Sequence, residues 1–185
     1  MNTTVIRWLA VAFALFHVYN NWFTAVSELW FAAIHFGGFG ALCALTFHRE
    51  QADVDRHKWQ EAFSVLLALL SISTAVYLIL FETALYAREA EFILADYLFS
   101  ALAVLLAMEF ARRTSGWFMP VLILVSLSYI LFLGRYVPGV FAFPGLSLET
   151  VLYRSYFAGD GMFGMVAYIS STFVFMFILF GAFLL

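Results

Sequence analysis

Most apolar residues of this chain lie in runs that are long enough to cross a lipid bilayer. A spanning α-helix needs roughly 17–25 mostly apolar residues, and it satisfies its own backbone hydrogen bonds in lipid. The runs are too long for strands and show no period-two alternation. The sequence therefore predicts an all-α, polytopic membrane helix bundle of about six transmembrane helices, at 8–26, 29–47, 62–81, 92–111, 117–134 and 162–185.

The composition supports a membrane protein and offers no sign of a catalytic centre. The 185 residues are 65% hydrophobic and 11% charged, against about 45–50% and about 25% in soluble domains. The net charge of -3 gives no reason to expect a nucleic-acid partner. Cys43 is the single cysteine, so no internal disulfide and no cysteine metal motif is possible. We expect neither an enzyme nor a bound cofactor.

The basic residues predict the orientation of the helices. If the N-terminus is inside, six of the nine basic residues fall in cytoplasmic segments and three in outer loops. The positive-inside rule then places both termini in the cytoplasm. The inner set is Arg7, Arg49, Arg56, Lys58, Arg112 and Arg113, and the outer set is Arg88, Arg135 and Arg154.

The longest outer connection, residues 135–160, predicts one further short helix. Two Pro-Gly pairs mark turns, and Ser147 can cap a helix over 148–157. Its apolar residues are Val151, Leu152, Tyr156 and Phe157. We expect a short outer interfacial helix that lies flat on the membrane surface. The alternative is a short re-entrant or packing helix.

Two histidines are the best candidates for a cofactor. His17 and His35 fall in adjacent antiparallel spans, at depths that differ by about 5 Å. Facing histidines can ligate a haem, which would make the chain a small electron-transfer subunit. The alternative is that each histidine hydrogen-bonds a neighbouring helix or a backbone carbonyl. Ser170, Ser171 and Thr172 in the last span likewise can bond preceding carbonyls or another helix.

Two charged groups lie near the ends of the fourth span. Asp96 can pair with Arg88 or accept a hydrogen bond from a neighbouring helix. Glu109 precedes Arg112 and Arg113 by three and four residues, so all three share a helix face. This cluster either anchors the helix at the inner surface or fastens it to a partner helix or to lipid phosphate. A proton relay would need further ionisable groups at depth, and the third, fifth and sixth spans supply none.

An ordered series of motifs from residue 77 onward resembles a known family. The series contains Tyr77, Glu82, Arg88, Asp96, "MEFARRTSG" (108–116), Pro120, Tyr129, Gly134, "VPG" (137–139), "GDGMFG" (159–164), "SSTFVF" (170–175) and "FILFGAFL" (177–184). It is similar to the N-terminal, small-subunit part of fused permeases of tripartite ATP-independent periplasmic (TRAP) transporters, of the type served by TAXI-family binding proteins. The chain departs from the family pattern at Ala90, at "WFAA" (30–33) and at Met165-Val166.

The resemblance implies a function and a set of partners. Residues 1–160 would form a membrane scaffold like the small subunit, and residues 161–185 would match the first helix of the large transport subunit. The system would take up organic acids with sodium bound in the large subunit, which is either the continuation of this chain or a separate one. The expected partners are that large permease subunit or domain, a periplasmic solute-binding protein and membrane lipids, in a bacterial or archaeal cytoplasmic (inner) membrane. Arg154 and Asp160 are the expected contacts for the binding protein.

Overall fold

The described residues form helices joined by short connections. A computed structural model describes residues 3–50, 58–88, 91–159 and 161–184, and these ranges contain no strand. The all-α class is therefore confirmed for them. The helices are α1 (Thr3–Phe23), α2 (Glu28–Glu50), α3 (Lys58–Arg88), α4 (Leu94–Ser115), α5 (Phe118–Leu131), α6 (Leu148–Tyr156), α7 (Met165–Ile169) and α8 (Phe175–Leu184). Single 3-10 turns cover Leu133–Tyr136 and Gly139–Phe141, and a π-helical turn, Ser170–Val174, joins α7 to α8.

Among the described residues, four helical segments are long and apolar enough to cross a membrane. They are Glu28–Thr46, Trp59–Arg88, Leu94–Ser115 and Met165–Leu184. The chain thus has the character of a membrane protein, but the predicted number of six spans is not confirmed. Helix α1 has 21 residues and carries Arg7, His17 and two asparagines. Helix α5 has only 14 residues, which is about 21 Å of helix at about 1.5 Å per residue.

Helix α2 lies at the centre of the bundle, where small residues let its neighbours come close. It contacts α1, α3, α4, α7 and the π-helical turn. Gly37 faces α3 so closely that a Cβ there would come 2.8 Å from the Cβ of Ala75. The Ser71 hydroxyl of α3 donates to the Gly37 carbonyl across 3.2 Å. Close approach through small residues is the usual way for helices to associate in lipid.

The short length of α5 determines where α6 packs. Helices α4 and α5 have 22 and 14 residues and are joined at Gly116 and Trp117. Running back along α4, α5 therefore ends about 12 Å short of the start of α4. The chain then turns back on α5, because Leu146 N donates to Ile130 O across 3.0 Å. Helix α6 occupies the space beside the exposed end of α4, where the hydroxyl of Tyr97 donates to Glu149.

Helix α6 packs its apolar face on the bundle. Ser147 caps it as predicted, since its hydroxyl accepts from Thr150 N across 3.2 Å. Its apolar face is buried, and the hydroxyl of Tyr156, which has no exposed surface, donates to the Thr74 carbonyl of α3. Burial raises the pKa of Tyr156, so its hydroxyl keeps the proton that it donates. These contacts favour the packing-helix alternative, because Val151, Leu152 and Tyr156 are buried in the bundle. The position of α6 at the membrane surface stays a prediction.

The last helix joins the bundle at its beginning and leaves the rest of its surface open. Helix α7 contacts α2, and the π-helical turn contacts α1 and α2. Within Met165–Leu184, only 6% of the most apolar 18-residue stretch is buried. Phe177, Phe180 and Phe183 on α8 are all mostly exposed. The division into a scaffold at 1–160 and a linking helix at 161–185 stays a prediction.

Candidate functional site

The first buried polar cluster joins α3 to α4 around Asp96. The carboxylate of Asp96 has no exposed surface and accepts two hydrogen bonds from Arg88 Nη2, across 2.9 and 3.0 Å. The hydroxyl of Tyr77 donates to its Oδ1 across 2.6 Å, and Ile93 N donates to its Oδ2 across 3.0 Å. The predicted pairing with Arg88 is therefore present, and so is the alternative hydrogen bond from a neighbouring helix. Both oxygens of this buried charge are used.

The sequence places these groups together for local reasons. Arg88 is the last residue of α3 and Asp96 lies in the first turn of α4, so a short connection brings them together. The first turn of a helix favours a carboxylate and the last turn favours a cation. Tyr77 comes from three turns earlier in α3, and its ring stacks on Phe99 with 4.0 Å between the ring centroids. The result is a fixed joint between two membrane helices.

The second cluster lies at the other end of α4, around Glu109. Arg112 donates two hydrogen bonds to its carboxylate, across 2.7 and 2.9 Å, and Arg113 Nε donates to Oε1 across 2.7 Å. The predicted pairing is present, and the ion pairs of Glu109 with Arg112 and with Arg113 lie within α4. The Arg113 guanidinium lies 6.0 Å from the centroid of the Phe63 ring of α3. Arg112 lies 5.4 Å from the Trp117 ring at the start of the next helix.

This geometry separates the roles of the two arginines. The side chain of Arg113 is 1% exposed, whereas that of Arg112 is 33% exposed. Arg113 therefore fastens α4 to α3 through the face of an aromatic ring, which is a favourable place for a guanidinium. Arg112 remains at the surface of the bundle, where it can contact lipid phosphate as well as Glu109.

The third cluster is a hydrogen-bonded chain through His17 and His35. His17 Nδ1 lies 2.9 Å from the Phe13 carbonyl oxygen, and His17 Nε2 lies 3.0 Å from His35 Nδ1. His35 Nε2 lies 3.3 Å from the Ser170 hydroxyl in the π-helical turn. Five phenyl rings surround His17, with centroids 4.6 to 5.6 Å from its own: Phe13, Phe16, Phe31, Phe39 and Phe175.

The tautomers of His17 and His35 follow from the Phe13 carbonyl, at which this hydrogen-bonded chain ends. A carbonyl can only accept, so His17 Nδ1 carries a hydrogen and, in the neutral ring, Nε2 accepts. His35 Nδ1 then donates to His17, which leaves His35 Nε2 as an acceptor for the Ser170 hydroxyl. All donors point from the last helix towards α1. The apolar shell favours this neutral arrangement, because a buried charge without a counter-charge is costly.

The π-helical turn gives this junction its shape. Widened turns of this kind are rare and occur mostly as single turns inside α-helices. The amide of Asn21 donates to the Ser171 carbonyl across 3.2 Å and to the His17 carbonyl across 2.8 Å. The hydroxyls of Ser171 and Thr172 bond the Tyr168 carbonyl within their own helix. Of the three hydroxyls, only that of Ser170 therefore hydrogen-bonds another helix within the described chain.

The histidine pair does not fit a haem. Two axial ligands must point at one iron from opposite faces of a flat porphyrin. Here the two facing nitrogens are hydrogen-bonded at 3.0 Å, and phenyl rings occupy the space around them. Within the described ranges, no group of three or more His, Cys, Asp or Glu side chains could hold a metal ion. The predicted alternative of a hydrogen-bonded histidine describes both residues.

Of the two expected contacts for a binding protein, only Arg154 lies among the described residues. Arg154 lies on the exposed side of α6. Asp160 lies outside the described residues. Among the described residues that follow it, Met162 N donates to the Ser155 carbonyl across 2.7 Å.

Sequence reasoning missed several cross-helix contacts. The indole of Trp30 donates to Glu82 across 2.6 Å, and Asn20 Oδ1 accepts from Val26 N across 3.0 Å at the turn between α1 and α2. Asn20 and Asn21 interrupt an apolar run, and that interruption could have indicated that their side chains have hydrogen-bond partners. The partners of Trp30 and Tyr156 lie far along the chain, and no local pattern indicates them.

Comparisons of the chain with protein-family models, with curated proteins and with solved structures found no match.

Proposed function

We propose that this chain is a membrane scaffold part of a TRAP-type secondary transporter, which takes up organic acids with sodium and a periplasmic binding protein. The scaffold holds the permease in a bacterial or archaeal cytoplasmic membrane and does not transport alone. Both termini lie in the cytoplasm. The family resemblance of the ordered motifs supplies the type of transporter.

Asp96 gives the most direct support. A charged group at membrane depth is by default a candidate for an ion or proton pathway. The Asp96 carboxylate is instead closed by Tyr77, Arg88 and Ile93 N in a joint between two consecutive helices. Releasing it would leave a buried charge without partners, which typically costs several kcal/mol. A fixed joint of this kind suits a static scaffold better than a moving transport element.

The residues of the motif series give further support. Tyr77, Arg88 and Asp96 form the first joint, and Glu109 with its two arginines forms the second. Ser170 belongs to the junction with α1 and α2. These residues hold helices together at separate places and do not surround one common cavity. The open surface of α8 would face the transport-bearing part.

Co-purification tests the proposal. The chain, tagged at its N-terminus, is isolated from native membranes in mild detergent after cross-linking. We expect a large multi-span permease chain or domain and a soluble solute-binding protein in the same complex. The matched variant Phe183→Glu, on the open surface of α8, should release the permease part, whereas Trp59→Glu, equally exposed on α3, should not.

Transport by the isolated chain would contradict the proposal. The purified 185-residue chain is reconstituted into proteoliposomes with a sodium gradient and labelled organic acids. We expect no accumulation above empty liposomes. Binding-protein docking is measured separately with Arg154→Glu and Asp160→Lys, which should both weaken it. Unchanged affinity for both variants would remove this segment from the docking surface.

A further inference from the structure

An apolar cavity of about 400 Å³ opens between α4, α5 and α6. Helix α4 lines it with Val104, Ala107 and Met108, and α5 lines it with Ile123, Leu127 and Ile130. Both sets have the spacing of one helix face, so two continuous apolar stripes face each other. The cavity size falls within the range of about 300–1,000 Å³ that is typical of small-molecule sites.

The polar groups of this cavity all lie at one end. Arg154 and Ser155 of α6 line it there, together with Gly161 in the turn that follows. A Cβ at Gly161 would come 2.8 Å from the Ser155 carbonyl oxygen, so the turn lies tightly against α6. A second cation stands nearby: Arg135 donates to the Leu131 carbonyl at the end of α5, next to the lining residue Ile130.

The charge distribution identifies the kind of occupant. An apolar cleft with the cationic side chain of Arg154 at one end matches a molecule with an anionic head and a hydrocarbon tail. The stripe from Ile123 to Ile130 is about 10 Å long, enough for a substantial part of an acyl chain. Guanidinium groups bind phosphate by paired hydrogen bonds, and Arg154 has five donors to share among its partners.

We propose that this cavity is a binding site for an anionic phospholipid of the surrounding bilayer. The phosphate group pairs with Arg154, and one acyl chain lies between α4 and α5. The lipid then covers the apolar surface that the short α5 leaves beside α6. This inference does not rest on the transport role, because lipid binding is read out on the isolated chain.

The experiment measures the lipid that the chain retains. The full chain is reconstituted into nanodiscs of equal parts phosphatidylglycerol and phosphatidylcholine, then released into detergent and analysed by native mass spectrometry. We expect retained phosphatidylglycerol to exceed phosphatidylcholine roughly fivefold, the preference that one cation near an anionic headgroup provides. Arg154→Gln should abolish that preference, and the matched control Arg7→Gln, exposed on α1, should keep it.

Filling the cavity provides an independent arm. Ala107→Trp and Leu127→Trp each put an indole into the acyl stripe and should remove most retained lipid of both types. Leu105→Trp is the matched control, since Leu105 lies on α4 outside the cavity and is 62% exposed. Thermal unfolding in detergent checks that each variant is folded.

Several outcomes would overturn the assignment. One is an equal lipid preference in Arg154→Gln and the parent chain. Another is undiminished retention in both folded filling variants. Retention of free fatty acid in place of phospholipid, when oleate is added to the nanodiscs, would also contradict it.

Discussion

Asp96 shows how a carboxylate buried in a helix bundle can have both oxygens hydrogen-bonded. Its two oxygens accept four hydrogen bonds from Arg88, Tyr77 and Ile93 N. Each donor has a different anchor: the end of α3, the body of α3, and the start of α4. The carboxylate therefore joins the end and the body of α3 to the start of α4.

We predict that Asp96→Ala destabilises the fold by about 3 kcal/mol, because it leaves the Arg88 cation without its partner. Tyr77→Phe removes one hydrogen bond and should cost about 1 kcal/mol. Equilibrium unfolding in mixed micelles measures both, with Glu91→Gln, an exposed carboxylate next to the joint, as the control. A loss for Asp96→Ala no larger than that of Glu91→Gln would show that the joint does not stabilise the bundle.

The hydrogen bonds through His17 and His35 predict the tautomer of each ring. Because the Phe13 carbonyl can only accept, both His17 and His35 should be Nδ1–H tautomers. Nitrogen-15 NMR of histidine-labelled protein in nanodiscs distinguishes the two tautomers by their ring shifts. Ser170→Ala should change the His35 Nε2 shift most, since that atom loses its donor, while Ser73→Ala on α3 should leave it unchanged. An Nε2–H tautomer at His17 would contradict the arrangement.

At the scale of elements, the most extensive contact between described helices is that of α2 with α3. The glycine face of α2 meets Ser71 and Ala75, and the buried alanines of both helices continue the same seam. Dispersion and close backbone approach stabilise such a seam, because lipid tails provide no hydrophobic force between helices. Helix α6 shows the other way of packing, with large rings such as Tyr156 buried against α3.

We predict that Gly37→Leu destabilises the fold by about 1–3 kcal/mol, since its side chain would overlap Ala75 and the Ser71 carbonyl. Gly181→Leu is the matched control: it lies on α8, where a Cβ meets nothing within 4 Å. Unfolding in mixed micelles compares the two variants. Equal stability would mean that the contact between α2 and α3 tolerates a leucine in place of Gly37.

At the scale of the whole molecule, the paired polar groups lie inside the bundle and large apolar residues cover its outside. Exposed apolar side chains occur on α1, α3, α4, α5 and α8 alike, for example Trp8, Leu80 and Phe183. Lipid or a partner helix must cover these surfaces, because exposing them to water is costly. The phospholipid site and the proposed permease contact use different parts of this apolar surface.

Cysteine labelling tests the predicted orientation of the whole chain. In a Cys43→Ala background, single cysteines replace Ser27, Ser147 or Thr114, all of which are exposed. A membrane-impermeant maleimide added to intact spheroplasts should label the first two, which the predicted topology puts outside. Thr114→Cys should react only after the cells are opened. Labelling of Thr114→Cys in intact cells would reverse the orientation.

The sequence by itself determined the helical class and the contacts between neighbours along the chain. Apolar runs of spanning length can satisfy their backbone in lipid only as helices or closed barrels, and spacing alone brings Glu109 to its arginines and Asp96 to Arg88. The cap of α6 at Ser147 was also local. What these have in common is that both partners lie within about one or two turns of each other or across one short connection.

Only the tertiary structure decided which distant residues meet. His17 and His35 are 18 positions apart, Tyr156 and Thr74 are 82 apart, and Ser170 and His35 are 135 apart. These contacts depend on the order in which the helices pack, which apolar periodicity does not specify, because in lipid every apolar face looks alike. The sequence places the end of the fifth span at 134, close to the observed end of α5 at Leu131. It does not indicate the backbone bond between Leu146 and Ile130 or the position of α6, which leaves a cavity between α4, α5 and α6.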